Sequence, residues 1–161
     1  DMVRRAVAGN PFFAVSDVEL RREGPSYSVD TLAEVRSGLV DGDRLWFLMG
    51  TDAFRESHTW NRYPEIFRLA DVAVMRRPPD DGDVSLPACI RADFSAFEGG
   101  FRHASGREVR FVPVTLLDIS STRIREALAE GRSVRYLVPD AVLPCLTQIL
   151  PEPQDSKGAH G

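Results

Sequence analysis

The chain has 161 residues, 43% of them hydrophobic and 27% charged, with a formal net charge of −4. That is enough for one domain with its own core, and the composition is that of an ordinary globular protein, not of a disordered or fibrous one. The negative balance argues against general nucleic-acid binding. No apolar run reaches the roughly 20 residues that span a bilayer, and no secretory pattern opens the chain, so the expected setting is cytoplasmic and away from membranes. Cys89 and Cys145 are isolated, which points to reduced structural thiols and to no metal cluster. Lys157 is the only lysine. Arginine suits bidentate phosphate recognition, although a GC-rich genome produces the same bias.

Taken in order, the chain begins with residues that read as the later turns of an amphipathic helix, which leads to the expectation of an N-terminally truncated fold. Gly9-Asn10-Pro11 breaks that helix, and residues 12–20 alternate toward their end like a half-exposed strand. A turn spans 21–25, and residues 26–32 lead into a helix running to about Ser37, with Val29, Leu32, Ala33 and Arg36 on one face. Residues 45–49 form an unbroken apolar run of strand length, which predicts burial on both faces, as in a parallel sheet. Pro64 opens a short helix to about Leu69, and 72–75 is another buried strand. From 80 to 107 the pattern weakens, and Phe94, Phe97 and Phe101 recur at near-helical spacing, which suggests a helix there. Residues 109–114 are the last strand, 123–130 a helix stopped by Gly131, and 140–150 a final helix. The expected domain is 1–150, with 151–161 a disordered polar tail.

Strands alternating with helices predict an α/β fold with a doubly wound parallel sheet of the Rossmann-like kind. Ligands bind beyond the carboxyl ends of the strands in such a sheet. Three segments follow strands there: Gly50-Thr51-Asp52, Arg76-Arg77-Pro78, and the run from Asp118 to Arg125.

The last of these, Asp118-Ile119-Ser120-Ser121-Thr122-Arg123-Ile124-Arg125, puts three hydroxyls at a helix amino end. Hydroxyls there cap free N–H groups, and those N–H groups with the positive end of the helix dipole make a seat for an anion. Arg125 lies four residues beyond Ser121 on the same face, and helical side chains lean back toward the amino end, so its guanidinium can hang over that seat. The plainer alternative is a well-capped surface helix with solvated arginines. Gly50 allows close backbone approach and Asp52 could hydrogen-bond a sugar, while Asp52 as a helix cap is the simpler reading. Tyr27 and Trp60 could stack on a ligand ring or could simply be packing aromatics. His58, His103 and His160 lack metal-ligand spacing and are read as non-catalytic.

Taken together, Ser26-Tyr27-Ser28-Val29-Asp30-Thr31-Leu32, Gly50-Thr51-Asp52-Ala53-Phe54, Trp60, Arg77-Pro78, Ile119-Ser120-Ser121-Thr122-Arg123-Ile124-Arg125 and Tyr136-Leu137-Val138-Pro139 resemble the bacterial nicotinate-nucleotide adenylyltransferases of the nucleotidylyl transferase superfamily. The resemblance runs to about Leu150. It implies adenylyl transfer from ATP to nicotinate mononucleotide, giving nicotinate adenine dinucleotide and pyrophosphate in NAD biosynthesis, without a covalent intermediate. By that resemblance Ser120, Ser121, Thr122 and Arg125 hold ATP phosphates, with Ser121, Thr122 and Arg125 the catalytic set, and Ile119 lies near the adenine. Gly50 and Asp52 contribute on the ATP side. Ser26, Tyr27, Ser28, Asp52, Trp60 and Arg77 receive nicotinate mononucleotide, and Mg2+ accompanies the triphosphate with no protein metal site.

Two departures stand out. Ser28 occupies a usual threonine position, and the family's His-x-Gly-His segment is absent from this sequence. The resemblance therefore implies a fragment that is inactive by itself. A non-catalytic nucleotide-binding or interaction domain, or an adenylyltransferase for nicotinamide mononucleotide or phosphopantetheine, are the alternatives. Oligomeric state is left open, a homo-oligomer included.

Overall fold

The computed structural model describes residues 1–76, 85–115 and 117–149; Arg77 and the 151–161 tail lie outside the described residues. The chain gathers into two compact units, one of Asp1–Ser16 with Leu117–Gly161 and one of Asp17–Leu116. Among the described residues no helix is long and apolar enough to cross a membrane.

The Asp17–Leu116 unit is built on a five-stranded sheet. Its strands are β1 (Trp46–Gly50), β2 (Asp71–Arg76), β3 (Phe94–Phe97), β4 (Gly100–His103) and β5 (Glu108–Pro113), in the order β1-β2-β5-β4-β3. β2 pairs in parallel with both β1 and β5, in the α/β arrangement the sequence predicts. Asp71, Val72, Ala73 and Val74 are all buried, so β2 is covered on both faces. Phe54, Ile66, Phe67, Val29, Leu32 and Val109 complete the core around it. The helices here are α2 (Ser28–Ser37), α3 (Thr51–Glu56) and α4 (Tyr63–Leu69). In β1, Phe47 and Met49 share the face that packs on the core, whereas Leu48 on the opposite face is 61% exposed. The continuous apolar run there thus does not mean burial on both faces.

Two sequence expectations fail for local reasons. Residues 12–20 form no strand: the chain turns at 11–12 and again at 18–20 and is irregular between them. The Asn10 side chain and carbonyl take the Phe12 and Phe13 N–H groups, and the Asp17 carbonyl takes those of Leu20 and Arg21. Asn and Asp have captured locally the donors that a ladder would need. Residues 94–103 form a hairpin, not a helix, and it extends the parallel strands in antiparallel fashion. Gly99 turns the chain at φ +85°, and Gly100 would be a poor helix-interior residue. The three phenylalanines still pack, Phe94 edge-on to Phe67 and Phe101 edge-on to Phe111, with Phe97 beneath Arg102 and Arg110.

The amino ends of the parallel strands carry two buried acids. Asp71 Oδ1 accepts the Glu108 N–H at 2.8 Å and lies 2.9 Å from Arg44 Nη2, and Oδ2 accepts from Arg44 Nε at 3.1 Å and from Arg107 Nη1 at 3.5 Å. Burial opposes ionisation of Asp71, but the Arg44 hydrogen bond, the Glu108 N–H and the charges of Arg44 and Arg107 outweigh it and hold the carboxyl below its ordinary value. Glu108 is held low by hydrogen bonds from Arg102 and Arg110.

The other unit holds α1 (Met2–Val7), α5 (Ser121–Ala129), a 3-10 turn at Asp140–Val142 and α6 (Leu143–Ile149). Gly131, at φ +69°, ends α5 by returning its N–H to the Leu128 carbonyl.

Two stability predictions follow from the sheet. A Cβ on Gly100 would stand 2.0 Å from the Val109 carbonyl oxygen. Gly100→Ala should therefore cost more than about 2 kcal/mol in a urea melt, through a backbone collision that no rotamer relieves. Because the folded Asp71 carboxyl titrates below the unfolded one, its stabilisation is complete above the ordinary carboxyl pKa of about 4 and is lost as pH falls through the folded value. Asp71→Asn should lower stability at pH 7 toward the low end of the roughly 3–5 kcal/mol typical of a broken buried pair, and should flatten the acid limb of stability against pH. An unchanged acid limb would deny Asp71 that role.

Candidate active site

Each unit presents its own set of the predicted residues. In the first, Ser120 is extended (φ −134°, ψ 155°) and caps α5, its Oγ accepting the Arg123 N–H at 3.2 Å. Ser121 and Thr122 are then the first two helical residues, both exposed, and their N–H groups have no partner within the helix. Arg125 folds back as its spacing predicts. Nε donates to the Ser121 carbonyl at 3.1 Å and Nη2 to Ser121 Oγ at 3.4 Å. Arg123 instead pairs with Asp118 and reinforces the entry to the helix. The three hydroxyls therefore divide their roles, Ser120 holding the backbone, Ser121 holding Arg125, and Thr122 remaining at the surface. Beside them is a cavity of about 350 Å³ whose lining includes Ile119, Ser120, Ile124, Ala127 and Leu137. Its size and mixed lining suit a small-molecule ring system.

In the Asp17–Leu116 unit, Tyr27 precedes α2 with its side chain 41% exposed, and Ser28 is the first helical residue. Ser26 Oγ donates to the Glu19 carbonyl at 3.3 Å. Glu19 also accepts from Thr31 Oγ1 at 2.8 Å, and Arg22 reaches Thr31 and Glu34, so the approach to α2 is tied down along its length. Trp60 follows the 3-10 turn Ser57–Thr59 and is half-buried, its ring centroid 6.3 Å from that of Phe47 on β1. Gly50 closes β1 and is the residue capping α3, so Asp52 does not act as that cap. Asp52 is exposed at the helix's first turn, 3.6 Å from Arg55, while Thr51 Oγ1 donates to the Met75 carbonyl at 3.3 Å and joins α3 to β2. Arg77, the remaining residue expected here, lies outside the described residues.

One connection joins these pieces that the sequence does not announce. Arg62, just after Trp60, pairs with Asp30 on α2 and lies 3.6 Å from Glu65. It sits at φ 46°, ψ 35°, a left-handed conformation uncommon for a residue with a Cβ. The Asp30–Arg62 pair thus locks the Trp60 loop to the helix that starts at Tyr27 and Ser28. Asp30 in a helix's first turn reads as an ordinary dipole partner, and a left-handed arginine leaves no mark in a sequence. Two of the histidines make local hydrogen bonds, and His160 lies outside the described residues. His58 bonds the Arg55 carbonyl, and buried His103 bonds Ser105, with burial pushing its pKa below the ordinary value.

A strained residue held by an ion pair has a separable signature. Arg62→Gly removes the pair but relieves the backbone, whereas Arg62→Ala removes the pair and keeps the strain. Arg62→Ala should be the less stable of the two by about 1 kcal/mol in urea melts, and equal stabilities would deny the strain.

Known proteins resemble this chain in sequence and in fold. A cytidylyltransferase-like family model matches residues 1–127. A probable nicotinate-nucleotide adenylyltransferase of Trichlorobacter lovleyi is 44% identical over 151 residues, covering 91% of this chain and 70% of that protein. One of Geotalea daltonii is 42% identical over 147 residues, covering 88% and 68%. Among solved structures, Plasmodium falciparum nicotinic acid mononucleotide adenylyltransferase complexed with APC superposes with a TM-score of 0.55 at 13% identity, over 89% of this chain and 70% of that one, a likeness of fold. The chain belongs to the cytidylyltransferase-like family and, within it, to the nicotinate-nucleotide adenylyltransferases.

Proposed function

We propose that the chain serves adenylyl transfer from ATP to nicotinate mononucleotide, releasing pyrophosphate and forming nicotinate adenine dinucleotide, a step of NAD biosynthesis. The observation that carries this reading is the amino end of α5, where the Ser121 and Thr122 N–H groups and the returned Arg125 guanidinium stand together in a member of this family. In the reaction a phosphate oxygen of the mononucleotide bonds to the α-phosphorus of ATP. The bond from that phosphorus to the β-phosphate bridging oxygen breaks, and pyrophosphate leaves with the electron pair. No side chain has to become covalent. The chain's task is to align the two nucleotides and to meet negative charge as it shifts toward the leaving group.

Ser121, Thr122 and Arg125 are assigned to the ATP phosphates, with Ser120 holding their helix in place and Ile119 beside the base. Gly50 is assigned to the ATP side and Asp52 to ribose, and Ser26, Tyr27, Ser28 and Trp60 to the pyridine nucleotide, with Arg77 on the same side. Magnesium enters with the nucleotide. Among the described residues no three His, Cys, Asp or Glu side chains gather into a metal site, and a triphosphate brings its own oxygen ligands.

In the protein carrying this chain, Arg125→Ala should lower kcat by about 10²–10³-fold, the loss typical of removing one charge-stabilising donor. Turnover near the parent's would remove Arg125 from the reaction. Trp60→Ala should raise the KM for nicotinate mononucleotide while leaving the ATP KM largely unchanged, and the reverse pattern would overturn the pocket assignment. Nicotinamide mononucleotide, run in parallel, measures selectivity between acid and amide.

A further inference from the structure

A second cavity lies at the opposite end of the parallel strands from Gly50 and Asp52. Its volume is about 770 Å³, and its walls are the residues that end α2, the loop into β1 and the turn between β4 and β5. Arg36, Arg44, Arg102 and Arg107 line it, and Arg110 stands behind Glu108. These five arginines surround two buried carboxylates, Asp71 and Glu108, in a chain whose overall charge is negative.

The carboxylates do not exhaust the arginines. Asp71 pairs with Arg44 and Arg107, and Glu108 with Arg44, Arg102 and Arg110. Each guanidinium has five N–H donors in a fixed fork, so one or two bonds leave most of them over. Arg36 donates to the Leu69 carbonyl at 2.9 Å. On the rim Asp43 accepts the Val40 N–H and, like Asp41, is exposed, so five arginines stand against four carboxylates, a small positive excess. A floor of acids that pins several forks while leaving donors free is a preorganised arrangement for phosphate oxygens, because little side-chain freedom is left to lose on binding.

We propose that this cavity binds a small polyanion carrying two or more phosphate groups, at a site separate from the carboxyl ends of the strands. Neither the adenylyl transfer nor the residues assigned to it use these arginines. The site's occupant is bare polyphosphate or the diphosphate of a nucleotide, which share the chemistry the arginines would recognise.

The test is a titration of the protein carrying this chain with inorganic tripolyphosphate, and separately with ADP, followed by backbone amide NMR. The Gly42, Arg44, Gly106 and Arg107 amides should shift saturably, whatever happens at Ser120 to Arg123. Tighter binding in the ADP arm would identify a nucleotide, and equal or weaker binding a bare polyphosphate. Arg36→Gln combined with Arg102→Gln should weaken the cavity response by about tenfold or more, the loss expected for two charge-assisted bonds. Asp41→Lys, an exposed rim change, should instead tighten it, an outcome that impaired folding cannot mimic. Shifts confined to residues 120–123, shifts at the cavity that do not saturate, or an affinity indifferent to Asp41→Lys would overturn the proposal.

Discussion

The parallel pairing of β2 with β1 on one side and β5 on the other sets the terms for the whole Asp17–Leu116 unit. A strand covered on both faces must be apolar along its length, and Val72, Ala73 and Val74 meet that demand. Because the three strands run the same way, all of them finish at one end of the sheet and start at the other. At the finishing end Gly50 caps α3, which Thr51 ties to β2 through the Met75 carbonyl. The starting end collects the polar groups, where Asp71 can be buried only because Arg44, Arg107 and the Glu108 N–H satisfy it.

The groups proposed for the chemistry are held in place by local contacts. Ser120 holds the first turn of α5 so that Ser121 and Thr122 keep exposed N–H groups, and Asp118 keeps Arg123 away so that Arg125 alone returns to the amino end. In the other unit, the strained Arg62 and its partner Asp30 relate Trp60 to the start of α2. In each case a local ion pair or cap fixes the backbone that carries the residues assigned to the site. Such preorganisation is the main means by which a reaction without a covalent intermediate can be accelerated.

Much of this was legible in the sequence, and the exceptions share a cause. Helices α2, α4 and α5 follow from periodicity, caps and Pro64, and β1, β2 and β5 from apolar runs of strand length. The strand expected at 12–20 fails because Asn10 and Asp17 capture backbone donors, a competition invisible to a count of alternating residues. Phe94, Phe97 and Phe101 mimic a helical stripe, but the glycines between them allow a hairpin in which the same rings pack from two strands. For the site, the return of Arg125 onto Ser121 was readable because four residues is one helical turn. The Asp30–Arg62 pair was not, since 32 residues separate its members and only the tertiary fold brings them together.

The central claim is that an adenylyl group moves directly between two nucleotides positioned by this chain. The most direct measurement supplies ATP labelled at the α-phosphate together with nicotinate mononucleotide and Mg2+. Label should appear in nicotinate adenine dinucleotide, with pyrophosphate released in equal amount and no label retained on the protein. Label held covalently by the protein, or no dinucleotide formed in the protein carrying this chain, would contradict it.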